Sequence, residues 1–269
     1  MEYERAKKAF QEYLNGYDRE DAKVRLKIVH TCGVVACSEK IAAGLQLSRE
    51  DTELARVIAL LHDIGRFEQL KRYQSFEPYT MDHAAYGVEV LFGREGKIRN
   101  FVERRDWDPV IRTAIARHSD FALGEITEPR VLLHAKLIRD ADKLDNCRVK
   151  LVEPVEVLLG VTAEEAGTQD ITPEIFQSIC REKCILSADR KTRMDYWVSY
   201  LGHIFDVNFL PTFQMIEEKD YIVKIIDRIP YTNSRTRAQM EEIRRTMETF
   251  VRKNIDLLSG EAGENTERQ

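Results

Sequence analysis

The feature that most limits the fold of this chain is the spacing of its apolar residues, which recur every three or four positions. In residues 20–45, for example, spacings of three and four separate Val34, Cys37, Ile41 and Leu45. No segment shows the apolar and polar alternation of a half-buried strand. Glycine and proline, which punctuate turns, number only 13 and 7 in 269 residues. The sequence therefore predicts an all-α fold.

Capping and stop signals set the expected helix boundaries. Ser48 followed by Asp51 resembles a capping box, and Asp108 followed by Pro109 is a helix start. Gly65 is a suitable stop. The predicted helices cover 2–15, 20–45, 48–65, 82–91, 108–118, a segment from Pro129 towards Leu159, and 233–257, with further helices between. Residues 66–81, which are aromatic and polar, and residues 161–172 are predicted to be loops.

Charge and cysteine content exclude some classes of function. Lys and Arg number 41 against 46 Asp and Glu, a net charge of -5, which argues against binding long nucleic acids. We expect no membrane span, because no apolar run reaches about 18 residues. The first residues, MEYERAKKAFQEYL, lack the apolar region of a signal peptide. Five cysteines without a CxxC pair indicate reduced thiols, so we expect a cytoplasmic protein whose oligomeric state stays open.

Four of the six histidines lie on four separate predicted helices, next to apolar residues: His30, His62, His83 and His118. His62 is followed directly by Asp63. Burying an imidazole beside a carboxylate is costly, and a metal ion compensates both groups. The alternative is a helix end, with His62 near the negative dipole and Asp63 in solvent. Four inward histidines favour a metal centre, because helical bundles build such centres from facing helices.

The helix opened by Pro129 carries three carboxylates among apolar residues: Asp140, Asp142 and Asp145. Carboxylates are unfavourable in the middle of a helix, so they call for a reason. One reason is a metal ligand at this position. The other is a solvated acidic face that pairs with Lys136, Arg139 and Lys143 at helical spacing.

The order of these residues resembles the HD-domain superfamily of metal-dependent phosphohydrolases: His30, then His62 with Asp63, then His83, His118 and Asp142. The segment LLHDIGRF is similar to the central helix of that family, and RDADKLDN to its closing helix. The resemblance covers about residues 20–150. It implies an HD-type metal-binding core over 1–160, with additional helices over 161–258 packed on it. We expect residues 259–269 to be a disordered tail.

By position, the resemblance implies four core metal ligands: His30, His62, Asp63 and Asp142. His83 and His118 match the extra histidines of the dinuclear subgroup, in which the HD aspartate bridges two ions. Many dinuclear members carry a histidine pair where this chain has Arg117 and His118. The GYP extension of cyclic-dinucleotide phosphodiesterases is absent from the sequence. His134 and His203 match no ligand position and are expected to be structural.

Histidine and carboxylate ligands suit one or two divalent transition ions, Fe, Mn, Zn or Co, rather than Mg or Ca. The resemblance implies hydrolysis of a small phosphorylated substrate, a phosphomonoester or phosphodiester such as a nucleotide. Asp63, Lys143 and Arg66 are the predicted catalytic residues, since Lys143 resembles the phosphate-contacting lysine of the family. Two alternatives remain, an inactive nucleotide-binding module of the same fold and a di-iron oxygenase. The sequence contains no P-loop, GxGxxG or GxSxG motif.

Overall fold

The structure, a computed structural model, describes residues 1–77 and 79–266 and is built from helices. In chain order these are α1 (Glu2–Tyr13), α2 (Ala22–Gly44), α3 (Arg49–Leu61), α4 (Ile64–Tyr73), α5 (His83–Phe92), α6 (Ile98–Phe101), α7 (Asp108–Arg117), α8 (Pro129–Val152), α9 (Val155–Leu159), α10 (Ala163–Gly167), α11 (Pro173–Cys180), α12 (Arg193–Gly202), α13 (Leu210–Glu218), α14 (Tyr221–Ile226) and α15 (Ser234–Thr266). Short 3-10 helices cover Leu14–Gly16, Ser187–Asp189 and His203–Asp206. The described residues contain no strand, and the predicted all-α fold is confirmed.

The chain forms two compact units, Met1–Asp145 and Asn146–Gln269, and the division falls inside α8. We predicted the end of the metal-binding core further on, near residue 160. Helix α15 continues to Thr266, into the segment where we expected a disordered tail. The last three residues, 267–269, lie outside the described part of the chain, as does Pro78 of the predicted loop. The tail therefore stays a prediction for those residues.

Helix α3 is central to the first unit, where it packs against α1, α2 and α7. Its residues Leu54, Ile58 and Leu61 are fully buried and form one stripe at helical spacing. At its start, the Ser48 hydroxyl accepts a hydrogen bond from the backbone N–H of Asp51 at 3.0 Å, as the capping signal predicts. The end of α3 is therefore held in the core of the unit.

The prediction of a loop over 66–81 is wrong for its first half. Helix α3 stops at Leu61 and α4 follows from Ile64, with Phe67 and Leu70 fully buried. These two residues, three positions apart, give α4 a short apolar stripe that the neighbouring charges obscure in the sequence. Gly65 does not end a helix as predicted. A Cβ there would lie 2.2 Å from the carbonyl oxygen of His83, so this glycine lets α4 and α5 approach closely.

The helix opened by Pro129 ends at Val152, earlier than predicted, and a separate α9 begins after Pro154. Proline has no N–H to continue the helical hydrogen bonds of the preceding turn. The predicted loop over 161–172 contains α10, which begins with a capping box between Thr162 and Glu165. A short capped helix of this kind has too few residues for periodicity to reveal it.

In the second unit, α15 packs against α11, α13 and α14, and α12 packs against α11. Trp197 and Phe213 are among its fully buried side chains.

None of the helices in the described residues has an apolar stretch long enough to cross a bilayer.

Candidate metal centre

His62 and Asp63 lie at the break between α3 and α4, in the interior of the first unit. The exposed fraction is 0% for His62 and 3% for Asp63. The Nδ1 of His62 donates a hydrogen bond to the carbonyl oxygen of Ala59 at 2.8 Å. The opposite nitrogen, Nε2, is buried and makes no hydrogen bond within the described residues. A buried lone pair without a donor is unfavourable, and a bound cation is the natural partner for it.

The first cluster consists of His30, His62, Asp63 and Asp142. The His62 Nε2 atom lies 3.5 Å from Asp63 Oδ2 and 3.9 Å from Asp142 Oδ1. His30 Nε2 lies 2.9 Å from the same Asp142 oxygen. Helix α2 contributes His30, and α8 contributes Asp142. Three separate parts of the chain, at residues 30, 62–63 and 142, thus direct nitrogen and oxygen atoms towards one region.

The second cluster consists of Asp63, His83 and His118. The other carboxylate oxygen of the aspartate, Oδ1, lies 3.2 Å from His83 Nε2 and 3.6 Å from His118 Nε2. The two histidine nitrogens are 3.1 Å apart. His118 donates from Nδ1 to the carbonyl oxygen of Ile115 at 2.7 Å, which directs its Nε2 atom towards Asp63. One carboxylate therefore joins both clusters, with a different oxygen facing each.

These separations are compatible with metal coordination. Ligands about 2.1 Å from one ion lie roughly 3.0–3.4 Å from each other in octahedral or tetrahedral geometry. The described residues contain two groups of three side chains whose ligand atoms lie within 4.8 Å of one another inside each group. One group is His30, His62 and Asp63, and the other is Asp63, His83 and His118. The chemistry of the donors, neutral nitrogen with anionic oxygen, matches a divalent transition ion. The residues present therefore fit a metal ion.

The carboxylates of the centre are held ionised. Burial alone would raise the pKa of Asp63, but the charges of Lys27, His62 and Arg66 hold it well below its usual range. Burial also opposes ionisation of Asp142, whose pKa is nevertheless held well below normal by the hydrogen bond and charge of His30. Both groups thus supply anionic oxygen at neutral pH.

The histidines differ in protonation. Burial lowers the pKa of His62 to about 4, against the opposing charge of Asp63. Burial and the nearby Arg66 charge lower the pKa of His83 to about 3. Burial and Lys27 also act to lower the pKa of His30, but its hydrogen bonds to Asp142 and Asp145 outweigh them and raise it. At neutral pH, His62 and His83 are therefore neutral ligands without prior loss of a proton.

Two cations lie against the shared carboxylate. The Lys27 ammonium donates to Asp63 Oδ2 at 2.6 Å, from one turn before His30 on α2. The Arg66 guanidinium lies 3.6 Å from Asp63 Oδ1 and donates from Nη2 to His83 Nε2 at 2.8 Å. Sequence reasoning found Arg66 and missed Lys27. The spacing from Lys27 to His30, three residues on one helix face, is the signal that would have found it.

The buried amide of Gln69 fixes Arg66 in place. Its Oε1 accepts a hydrogen bond from Arg66 Nη1 at 2.6 Å, while its Nε2 donates to the carbonyl of Glu77 and the hydroxyl of Thr80 at 2.9 and 2.8 Å. Arg66 Nη1 also donates to the carbonyl of Phe76 at 3.2 Å. Gln69, which the sequence did not single out, thus connects the arginine to the segment between α4 and α5.

Other predicted residues are placed differently. The Lys143 ammonium lies 3.4 Å from the carbonyl oxygen of Arg139 on its own helix. Arg117 forms an exposed ion pair with Asp120 at 2.9 Å. His134 is buried, with Nε2 3.2 Å from Asp51 Oδ1, while His203 begins a 3-10 helix in the second unit. The roles of the predicted ligands and of Lys143 stay predictions.

The Arg139 guanidinium contacts the backbone at the end of α7. Its Nη1 lies 2.9, 3.2 and 2.7 Å from the carbonyl oxygens of Arg117, His118 and Asp120, respectively. These carbonyls lie at the C-terminal end of α7, where helical partners are missing. Arg139 therefore anchors the segment that carries His118 to the helix that carries Asp142.

Comparison with known proteins agrees with this arrangement. Residues 28–147 match the family model of the HD domain, and this part of the chain is a member of that family. The matched segment begins just before His30 and ends just after Asp145, so it contains all members of both clusters. No curated protein and no solved structure matches the chain. The chain thus contains an HD domain with His and Asp side chains able to hold a metal ion, a combination that indicates a metal-dependent hydrolase type of function.

Proposed function

We propose that the protein is a metal-dependent phosphohydrolase that cleaves a phosphomonoester or phosphodiester of a small substrate, such as a nucleotide. The observation that carries this proposal is the Asp63 carboxylate, whose two oxygens face two separate histidine clusters. A carboxylate shared in this way suits two ions held a few ångström apart. Phosphoryl transfer needs charge stabilisation on more than one oxygen, which a paired site provides.

The ligands would be His30, His62, Asp63 and Asp142 for one ion, and Asp63, His83 and His118 for the other. When bound, Fe, Mn, Zn or Co ions supply an activated water and positive charge for the phosphoryl oxygens. Hydrolysis consumes this water: its oxygen bonds to phosphorus, the bond from phosphorus to the ester oxygen breaks, and the leaving alcohol takes a proton. The histidine rings are already held with Nε2 towards the centre by their Nδ1 hydrogen bonds at His62 and His118.

The cations beside Asp63 provide a second source of charge stabilisation. Lys27 and Arg66 are each 13% exposed at the side chain, so little water screens them. The Lys27 ammonium, which lies beside Asp63 Oδ2, would hold a phosphoryl oxygen of the substrate when Asp63 serves as a metal ligand. Arg66, anchored by Gln69 through Nη1, would offer Nη2 to a phosphoryl oxygen once His83 Nε2 serves as a metal ligand instead of accepting from it. Lys143 is a further candidate for this task.

The test is hydrolysis by the purified protein loaded with Mn²⁺ or Co²⁺. Phosphomonoesters, nucleotides and cyclic nucleotides are offered, and release of phosphate or of the alcohol is measured. We expect hydrolysis that disappears with a chelator and returns with the metal. No hydrolysis of any of these compounds by a metal-loaded sample would contradict the proposal.

Substitution of Lys27 separates its role in phosphate binding from a general effect of charge. With a substrate found in that screen, Lys27→Met should raise KM or lower kcat/KM by about 10-fold or more, which corresponds to the loss of one charged hydrogen bond. The matched control is Lys40→Met, on the exposed side of the same helix. Equal kinetic constants for the two variants would show that Lys27 does not bind the phosphoryl group.

A further inference from the structure

Helix α2 has a glycine, Gly33, near its middle. Glycine destabilises the interior of a helix relative to alanine, because its backbone loses more conformational entropy on folding. Its backbone does not have positive φ. The reason for this glycine must therefore lie in what surrounds it rather than in its own conformation.

The surrounding group is the Asp145 carboxylate. A Cβ at Gly33 would lie 1.9 Å from Asp145 Oδ1 and 2.4 Å from its Cγ, far closer than atoms approach. The other oxygen, Oδ2, accepts a hydrogen bond from Nδ1 of His30 at 2.7 Å. Both Asp145 and His30 are 1% exposed. Gly33 thus leaves the space that Asp145 needs to reach His30.

We propose that Asp145 and Gly33 position His30 as a metal ligand: Asp145 holds the ring by Nδ1, and Gly33 admits the carboxylate. The inference rests on metal binding by His30, which is part of the proposed function. With Nδ1 as the donor to Asp145, the opposite nitrogen of His30 is directed at Asp142 and the first cluster. A carboxylate behind a ligating histidine fixes the ring orientation and raises its affinity for the metal.

The position of Asp145 on α8 strengthens this argument. Asp142 and Asp145 are three residues apart, so they lie on neighbouring turns of one helix face. Asp142 Oδ1 contacts Nε2 of His30 at 2.9 Å while Asp145 contacts Nδ1. One helix therefore provides both a predicted ligand and the group that orients the ring beside it. Asp145 does not itself belong to either group of three that could hold an ion in the described residues.

The test is Co²⁺ titration of the full-length protein by calorimetry, with visible absorption of the bound Co²⁺ as a report on its coordination. Asp145→Asn, which keeps an acceptor but removes the charge, should weaken binding at the first cluster about 10–100-fold and alter the spectrum. Binding at His83 and His118 should be unchanged. Gly33→Ala should weaken the same site, although alanine favours the helix and every ligand is retained.

The double variant Gly33→Ala with Asp145→Ala identifies the cause. If Gly33 serves only to admit Asp145, the added Gly33→Ala should have no further effect once the carboxylate is gone. The control is Gly16→Ala, where a Cβ meets nothing within 4 Å. Wild-type affinity in Asp145→Asn or Gly33→Ala, or independent losses that add in the double variant, would overturn the inference. A wild-type protein that binds no Co²⁺ would instead contradict the proposed function along with it.

Discussion

The two clusters share Asp63 but differ in charge. The first cluster contains two carboxylates, Asp63 and Asp142, and a third, Asp145, lies behind His30. The second cluster has only the other oxygen of Asp63, with two imidazoles and the guanidinium of Arg66 against His83. A divalent cation is held more strongly where more negative charge surrounds it. We therefore expect the first cluster to bind its ion more tightly than the second.

The clusters also differ in what holds their histidines. In the first cluster His30 is held between two carboxylates, while His62 donates to a backbone carbonyl, as His118 does in the second cluster. A backbone acceptor orients a ring without adding a full negative charge to it. Under the proposed function, one shared aspartate would serve two metal sites of unequal strength, because the groups behind the ligands are unequal.

We expect the largest effect on metal content and activity from Asp63→Asn, which changes the ligand that the two clusters share. This change removes the anionic oxygen common to both clusters, so both ions should be lost. Activity should fall by well over about 100-fold, which is more than the loss of an outer-shell partner causes. Plasma emission spectroscopy of the dialysed protein gives the metal content. A variant that keeps two ions per chain would show that Asp63 does not bridge them.

A smaller and selective effect is expected when single histidines are replaced. His83→Asn should remove the second ion and leave the first, whereas His62→Asn should weaken the first. Because the first cluster is the stronger site, the His83 variant should retain about one ion per chain after dialysis. Metal stoichiometry and Co²⁺ titration measure both.

The matched control for these variants is His134→Asn. His134 is as buried as the ligands but contacts Asp51 rather than either cluster. It should retain the wild-type metal content. Loss of metal in this variant to the same extent as in His83→Asn would show that the effect comes from any buried histidine and not from the centre.

The smallest effect is a difference in proton release. The raised pKa of His30 means that metal binding at the first cluster must displace a proton, whereas His83, with a pKa of about 3, has none to lose at pH 6.5. At that pH, ordinary histidine would be half protonated, so the first ion should release more than about half a proton from His30. Calorimetry in buffers of different ionisation enthalpy measures this. Absence of proton release on binding of the first ion would contradict the raised pKa of His30.

The same pKa shifts give the pH dependence of stability in the metal-free protein. His62 and His83 are neutral when folded but take up protons near pH 6.5 when unfolded, so their contribution is complete above that pH. It should be lost as the pH falls from about 6.5 to about 4 for His62 and to about 3 for His83, by an amount on the order of 3–5 kcal/mol for each group. His30, with a raised pKa, acts in the opposite direction and loses its contribution as the pH rises. Denaturant unfolding at several pH values should show a smaller acid loss in His83→Asn than in wild type.

The sequence predicted the helical fold, because apolar periodicity is a local property of the chain. The resemblance to the HD-domain family indicated which His and Asp residues the structure then brings together. The sequence did not predict α4, whose stripe of Phe67 and Leu70 is too short to distinguish from a loop. Nor did it reveal Lys27, Gln69 or the role of Arg139. Their partners are distant in sequence, so only the packed structure brings Lys27 to Asp63 or Arg139 to the end of α7. The need for glycine at position 33 could not be predicted either, because the Asp145 side chain that requires the space lies on another helix.

The proposed function depends above all on Asp63 serving as a ligand to two ions held by separate histidine clusters. Crystals of the protein grown with Mn²⁺ and measured at the manganese absorption edge test it directly, because anomalous scattering locates the ions. For the proposed centre we expect two peaks on opposite sides of the Asp63 carboxylate, one beside His30 and His62 and one beside His83 and His118. No peak at either cluster, or a single ion bound without Asp63, would contradict it.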